Sequence, residues 1–582
     1  MSWGWSLCWL LLVLLFREPA FGVEAYLPAS SPAHRTIQGV YDRVARAFAD
    51  QRRPPRLLVS AKPLLRPVTI EGGAILADRS APLSAMSREE PVIIVDQRLL
   101  EALAPLEGKR ESALALILGH DLAHFYLRHH LGREGLGFAD NLRSATGDAL
   151  PAGADAAIRE RIRSVAAVEN EAEADYYGGF YGFLAGYDTI AVADRVYDLV
   201  YGKMNVTDLQ GYPSLADRKL IMADVGRRLG ELSIRFEIAN RLLVVGRPRE
   251  AAGLLERLAT QVGSLEIYTN AGIAWAVASL NAAPPGRFPY LYPFMHDRES
   301  RLTNSVPSNS TGQSSTVAAK QSAPGSSDIG LWVDYLQAAA RELDKALALN
   351  PGNPLALINR AAVCQMSGET ETALLLARRA ELAAEDDLSI LSAVHLLRGI
   401  IQAVQGGSEA AAREFREAAL QGSGQADRNL GLLLARRSDS PPRILPHGGG
   451  PFTLDGVSLP TGRFILAKPD LTLTLREAAG EAVVIARQSY PSSTRWTVSF
   501  QERDRTERLM VAFHVTVPGH GGAVRGVRIG SSSADLRRSF GSPTQFVPSS
   551  QGEQWLYEPD RLVFPLSREG KVEGWLLYGV YE

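Results

Sequence analysis

One stretch constrains this chain more than any other. Leu116 to Leu127 reads Leu-Ile-Leu-Gly-His-Asp-Leu-Ala-His-Phe-Tyr-Leu, with His120 and His124 four positions apart. On a helix that spacing puts the two imidazoles about 40° apart on one face, where both can reach one ion. Leu114, Leu116, Ile117, Leu118 and Leu122 make the other faces apolar, so the helix is expected to be buried. Buried imidazoles without partners are costly. A core pair satisfied by backbone contacts is the plainer alternative to a metal site. Further on, Glu169 to Gly178 opens a second helix as Glu-Asn-Glu-Ala-Glu-Ala-Asp-Tyr-Tyr-Gly. Here Glu171 and Asp175 again stand four apart and share a face. Two histidines plus one carboxylate, with a fourth position left for water, is the open arrangement of a catalytic zinc site. Asp175 is then placed to accept a hydrogen bond from a ligating histidine and fix its tautomer. An acidic helix start that merely caps the helix in solvent is the alternative for this segment taken alone. His129 and His130 follow the first helix and read as a surface end cap favoured by its dipole, with a metal role as the alternative.

Cysteine usage narrows the donors further. The only two cysteines of the 582-residue chain are Cys8 and Cys364. Leu7 to Phe16 is an unbroken apolar run, too short to cross a bilayer but fitting the core of a secretory signal. Ala20 and Gly22 supply small residues for cleavage before Val23, so residues 1–22 are expected to be a signal peptide. Met1 to Ser6 lacks Lys and Arg, which keeps a retained N-terminal membrane anchor as the alternative. The processed chain would hold one thiol and no internal disulfide, and the metal site must use imidazole and carboxylate. Lys+Arg number 62 and Asp+Glu 64, a net charge of −2, so no cationic excess is available for nucleic acid.

The texture of the chain changes along its length. Residues 35–230 mix short β-branched runs, such as Val68 to Ile70 and Val92 to Val95, with helical patterns, giving an α+β domain. Residues 232–282 and 331–437 are rich in Ala, Leu, Arg and Glu, with glycine-marked turns at Gly246, Gly368 and Gly406-Gly407. The run from Ala346 to Ala362, with Asn350-Pro351 at its centre, resembles a junction between tetratricopeptide repeats. An ordinary helical bundle is the alternative. Such an array would offer a concave surface to protein or peptide clients. Residues 283–330 open with a proline and aromatic patch and continue as Ser, Thr, Gly and Gln; they are expected to form a low-complexity, disordered insertion. Residues 441–582 alternate short strands with turns, a β-rich α+β domain whose helix after Ile529 starts at Ser532 or Ser533. Gln488 to Val517 either continues that sheet or forms a separate lobe.

The motifs His120-Asp121-Leu122-Ala123-His124 and Glu171-Ala172-Glu173-Ala174-Asp175 together resemble those of the M-forty-eight family of zinc metallopeptidases. The strand Val92 to Val95 and the run Phe183 to Asp188 are similar to that family as well, over residues 35–230. A signal peptide, this domain and trailing repeats resemble the BepA-like architecture of the Gram-negative periplasm. The resemblance implies a zincin-type fold, one Zn2+ per chain held by His120, His124 and Glu171, and a periplasmic or secreted location. It implies hydrolysis of peptide bonds in unfolded or misassembled envelope proteins, with Asp121 and Asp175 as catalytic carboxylates. Val92, Ile93, Ile94 and Val95 would be an edge strand that pairs with extended substrate. Clients would be recruited by the repeats, with outer-membrane assembly machinery as a further partner. Two positions depart from the family. Asp121 stands where Glu is usual, retracting the carboxylate on the order of 1 Å, a misplacement that can lower the rate roughly a hundredfold. In Gly211 to Arg218, Tyr212 stands where His is usual, while Arg218 is kept to support the site. A peptidase-fold chaperone or assembly factor is therefore the alternative to a working protease, and a purely structural zinc site a third.

Overall fold

A computed structural model describes residues 26–48, 53–62, 68–71, 91–127, 129, 156–203, 213–298, 300, 330–438, 452–454, 457–459, 468–476, 482–491, 493–501, 509–516 and 521–581. The expected signal peptide, Tyr212 and His130 lie outside these. The chain is a mixed helix and sheet protein that divides into two compact units, Met1–Leu229 and Gly230–Glu582.

In the first unit, helix α1 (Pro32–Ala47) begins where the Ser31 side chain accepts from the His34 amide and Pro32 takes the first turn. Strands β1 (Arg56–Ser60), β2 (Val68–Glu71) and β3 (Val92–Asp96) form a three-stranded sheet in the order β1-β3-β2. β3 runs parallel to β1, with Leu57 opposite Ile93, and antiparallel to β2, with Thr69 opposite Ile94. The expected edge strand is thus the central one. Val92 to Val95 is an unbroken apolar run, and Ile93, Ile94 and Val95 are all buried, as a strand covered on both faces requires. Among the described residues the outer strands are β1, whose free side already meets Tyr26 and Leu27, and β2.

Helix α2 (Arg98–Ala102) is followed by α3 (Arg110–Tyr126), which is buried on most of its circumference from Ala113 to Tyr126. Its partner is α4 (Ala156–Leu184). A Cβ added at Gly119 would stand 2.6 Å from the Gly178 carbonyl oxygen, and one at Gly178 only 2.4 Å from the His120 nitrogen. One turn away, a Cβ at Gly182 would lie 3.2 Å from the Ala115 carbonyl oxygen. Contacts ascending α3 therefore descend α4, and the two helices run antiparallel in backbone contact. The turn through Gly186, at φ +102°, leads into α5 (Thr189–Lys203), where Thr189 Oγ1 donates to the Gly179 carbonyl at 2.7 Å. α6 (Leu215–Val244) starts on a reciprocal Ser214–Asp217 cap, and the boundary between the units falls within it.

The second unit continues with α7 (Pro248–Ala259), α8 (Leu265–Ala282), α9 (Leu331–Leu349), α10 (Pro354–Met366), α11 (Thr370–Ala383), α12 (Leu388–Val404), α13 (Ser408–Leu420) and α14 (Gly424–Ser438). Each of these helices packs on the next in sequence. Gly246, Gly368, Gly406 and Gly422 end α6, α10, α12 and α13 with φ between +78° and +100°, the left-handed geometry that stops a helix and reverses the chain.

Its sheet is antiparallel throughout. After the hairpin β4 (Phe452–Leu454) and β5 (Val457–Leu459) come β6 (Leu471–Arg476), β7 (Ala482–Ser489), β8 (Ser493–Gln501), β9 (Leu509–Thr516), β10 (Gln545–Ser549), β11 (Gly552–Tyr557), β12 (Leu562–Ser567) and β13 (Leu576–Tyr581). The eight strands from β6 onward lie in the order β10-β11-β12-β13-β9-β8-β7-β6, so Gln488 to Val517 contributes to this sheet and not to a separate lobe. Ser532, not Ser533, caps α15 (Ser533–Phe540), whose Leu536 and Phe540 join Trp555, Phe564 and Trp575 in the core.

The segment expected to be disordered from residue 283 departs from that reading at its start. Residues 283–298 are described: after a turn at Pro285-Gly286 the chain runs on as a strap without helix, and Tyr290, Tyr292, Phe294 and Met295 are buried. The physical reason is compositional: aromatic side chains at alternate positions bury large apolar area and outweigh the entropy of ordering so short a piece. Residues 301–329, the Ser/Thr-rich remainder, lie outside the described residues.

Candidate metal centre

The backbone contact between Gly119 and Gly178 decides what faces what. Glu171, Asp175, Gly178 and Gly182 follow one face of α4 at helical spacing, and His120 and His124 stand beside Gly119 on α3. Closing the helices onto each other therefore brings the carboxylates of one against the imidazoles of the other. His120 Nε2 lies 3.1 Å from His124 Nε2. The Glu171 carboxylate bridges them, Oε2 at 3.3 Å from His120 Nε2 and Oε1 at 3.4 Å from His124 Nε2. These donor atoms fall within 4.8 Å of one another, and this is the one group of metal-ligating type among the described residues.

The outward nitrogens are partnered too. His120 Nδ1 is 2.9 Å from Asp175 Oδ1, and Asp175 is 1% exposed. Arg218, at the start of α6, donates to the same Oδ1 at 2.6 Å and reaches Glu171 Oε2 at 3.4 Å, while its guanidinium lies 5.7 Å from the Tyr197 ring centre. On the other side, His124 Nδ1 lies 3.0 Å from His129 Nδ1, and His129 Nε2 is 3.1 Å from Glu173 Oε2. Each Nδ1 thus faces an acceptor that can hold its proton, which leaves both Nε2 lone pairs turned to the shared space. Two such lone pairs 3.1 Å apart repel unless a proton or a cation lies between them. The donor set, two imidazole nitrogens and one carboxylate, suits zinc without requiring any thiolate.

The charge balance follows from the same contacts. Burial pushes the His120 imidazole down, but the Asp175 and Glu171 carboxylates outweigh it and raise it to about 10. His124 moves the opposite way: burial lowers it and the neighbouring His120 adds to that, so a first proton settles on His120 and disfavours a second. His129 is lowered by burial and by His124. Burial would raise Glu171, yet its hydrogen bonds to both imidazoles hold it well below the usual carboxylate range. Without metal the cluster is a buried, carboxylate-paired imidazolium. An incoming cation must displace that proton.

His120, His124, Glu171, Asp175 and Arg218 are thus gathered into one cluster. Asp121 is half-buried on α3 between the two histidine turns. Tyr212 lies outside the described residues, and Val92 to Val95 sit in mid-sheet. His129, expected as a solvent-facing cap, is 9% exposed and belongs to the cluster. Its partner is Glu173, itself 60% exposed and solvated without it, so the sequence carried no signal for this contact. No family model matches this chain, and no curated protein matches it either. No described helix is long and apolar enough to cross a membrane.

Proposed function

We propose that this chain is a zinc metalloendopeptidase of M-forty-eight type, exported to the periplasm, acting on unfolded or misassembled envelope proteins recruited by tetratricopeptide-like repeats. The observation that carries the reading is the convergence of His120 Nε2, His124 Nε2 and the Glu171 carboxylate, with Asp175 fixing His120 from behind. Zinc held by these three residues would supply a Lewis acid that polarises a scissile carbonyl and makes water acidic near neutral pH. Asp175 keeps the His120 proton on Nδ1, His129 does the same for His124, and Arg218 ties Asp175 to Glu171 so that the carboxylates keep their spacing. Asp121 accepts the proton of the attacking water and returns it to the leaving amine.

A second reading is favoured by one residue. The Asp121 carboxylate is one methylene shorter than the family's glutamate, which supports a client-binding chaperone or assembly factor that keeps the metal and has lost turnover. One set of assays on the purified chain separates the two. Elemental analysis is expected to return one zinc per chain, lost in His120→Ala. Denatured casein is expected to be cleaved by the wild type, not by His124→Ala, and faster by Asp121→Glu. Stoichiometric zinc with an inert wild type and activity gained in Asp121→Glu assigns the chaperone reading. Absence of zinc refutes both.

A further inference from the structure

The strap in the second unit is held by an unusual set of contacts. Asn429 on α14 accepts from the Leu291 amide at 2.8 Å and donates to the Leu291 carbonyl at 2.9 Å. Asn359 on α10 does the same to Met295, at 2.9 and 2.8 Å. Asn270 on α8 does the same to Asp297, at 2.8 and 2.7 Å, and Asn240 on α6 holds Asn270 in place with an acceptor at 2.9 Å. Asn270, Asn359 and Asn429 are each fully buried. Each amide side chain thus pairs with both main-chain groups of one residue, as a neighbouring β-strand would. The three clamps ignore side-chain identity. What the surrounding face selects is extended backbone bearing rings at alternate positions, here Tyr290, Tyr292 and Phe294, with Tyr290 packed 6.0 Å from the Phe415 ring.

We propose that the face of the helical array carrying Asn270, Asn359 and Asn429 is a docking groove for an extended segment of another, unfolded polypeptide with aromatic residues at alternate positions, and that residues 290–297 occupy it in cis. A fully main-chain clamp has no preference between the strap and a second segment of the same chemistry, so the two compete. The strap's advantage is its effective concentration, on the order of millimolar for a short tether. Its far end is anchored at His296, where Nδ1 donates to the Pro548 carbonyl at 3.0 Å and Gln554 Nε2 donates to Nε2 at 2.8 Å, and at Arg298, whose guanidinium pairs with Glu573 at 3.0 Å. Other groups facing that ring are Arg298, which lies close enough to disfavour its charging, and Asp297, whose Oδ1 accepts from Ser550 Oγ at 2.9 Å. The inference stands apart from the metal centre, because no residue of the groove belongs to it.

The test uses the full chain and a fluorescent peptide spanning residues 288–298, read by anisotropy. The triple variant Tyr290→Ser, Tyr292→Ser, Phe294→Ser vacates the groove and is expected to bind the peptide at least tenfold tighter than wild type. Asn359→Leu and Asn429→Leu in that background are expected to remove the gain. A folded triple variant with no gain, or a gain indifferent to both asparagines, overturns the proposal. If the triple variant fails to fold, hydrogen exchange on the wild type decides. Millimolar peptide should speed exchange at the amides of Leu291, Met295 and Asp297 and leave the helices unchanged; equal protection with and without peptide overturns the proposal. A wild-type dimer that the peptide dissolves would assign the groove to the strap of a second copy and overturn the assignment to a foreign chain.

Discussion

The histidine–carboxylate cluster and the asparagine clamps on the strap are both buried polar networks, yet they are built on opposite principles. Around His120 every partner is a side chain and most carry charge; at Met295 the main-chain N–H and C=O both pair with one neutral side-chain amide, that of Asn359. A charged network is stable only while complete, since removing one member strands a buried charge. A neutral amide clamp loses only its own hydrogen bonds. Ion recognition therefore demands named residues at fixed distances, whereas the asparagine clamps tolerate any residue whose backbone is extended.

The largest expected effect tests that contrast directly. Asp175→Ala leaves Arg218 buried without its closest partner and should lower unfolding free energy by about 3–5 kcal/mol, measured by denaturant titration. A loss under about 1 kcal/mol would mean that solvent reaches the cluster. Gly178→Ala comes next, because its Cβ would meet the His120 backbone and force α3 and α4 apart. It should cost about 1–3 kcal/mol and also lower metal stoichiometry, a pairing of effects that a change in the strap groove should not produce. Asn359→Leu, by comparison, should cost about 1–3 kcal/mol through the unpaired groups of Met295, with metal content unchanged.

The smallest and most diagnostic difference is in pH dependence. His120 is raised to about 10 in the folded, metal-free protein, so its contribution is full below the unfolded value of 6.5 and is lost as pH rises toward 10. His296 is lowered to about 3, by burial first and then by Arg298. Its neutral form supports the strap fully above 6.5, and that support is lost as pH falls toward 3. Chelated protein should therefore lose stability on the alkaline side in a way that His120→Gln abolishes. On the acid side, exchange at the strap amides should rise before the sheet unfolds. Identical profiles in the His296→Gln variant would disconnect the strap from this titration.

Much of the metal cluster was legible along the chain. The spacing of His120 and His124, and of Glu171 and Asp175, is a statement about one helix each, and helical periodicity is local. Arg218 was legible only through resemblance to a family. His129 was not, because a residue just beyond a helix end can turn outward or back, and burial beside Glu173 settles which. The run Val92-Ile93-Ile94-Val95 carried its own warning: unbroken β-branched residues without polar alternation suit a strand covered on both faces. The strap was misread for a related reason. Its composition was averaged with the Ser-rich stretch behind it, although rings at 290, 292 and 294 have the period of an extended segment. The three clamping asparagines shared a local pattern as well, each followed two positions later by a small residue, Gly272, Ala361 or Gly431.

Sequence by itself determined the elements, the glycine-marked turns between helices, and the pairing of like residues on single helix faces. Tertiary structure alone decided which faces meet. Two glycines allow α3 and α4 to touch backbone to backbone, so that carboxylates and imidazoles converge, and three asparagines far apart in the chain line up along one extended strap. Such matches depend on contacts between residues tens to hundreds of positions apart, and no local spacing encodes them.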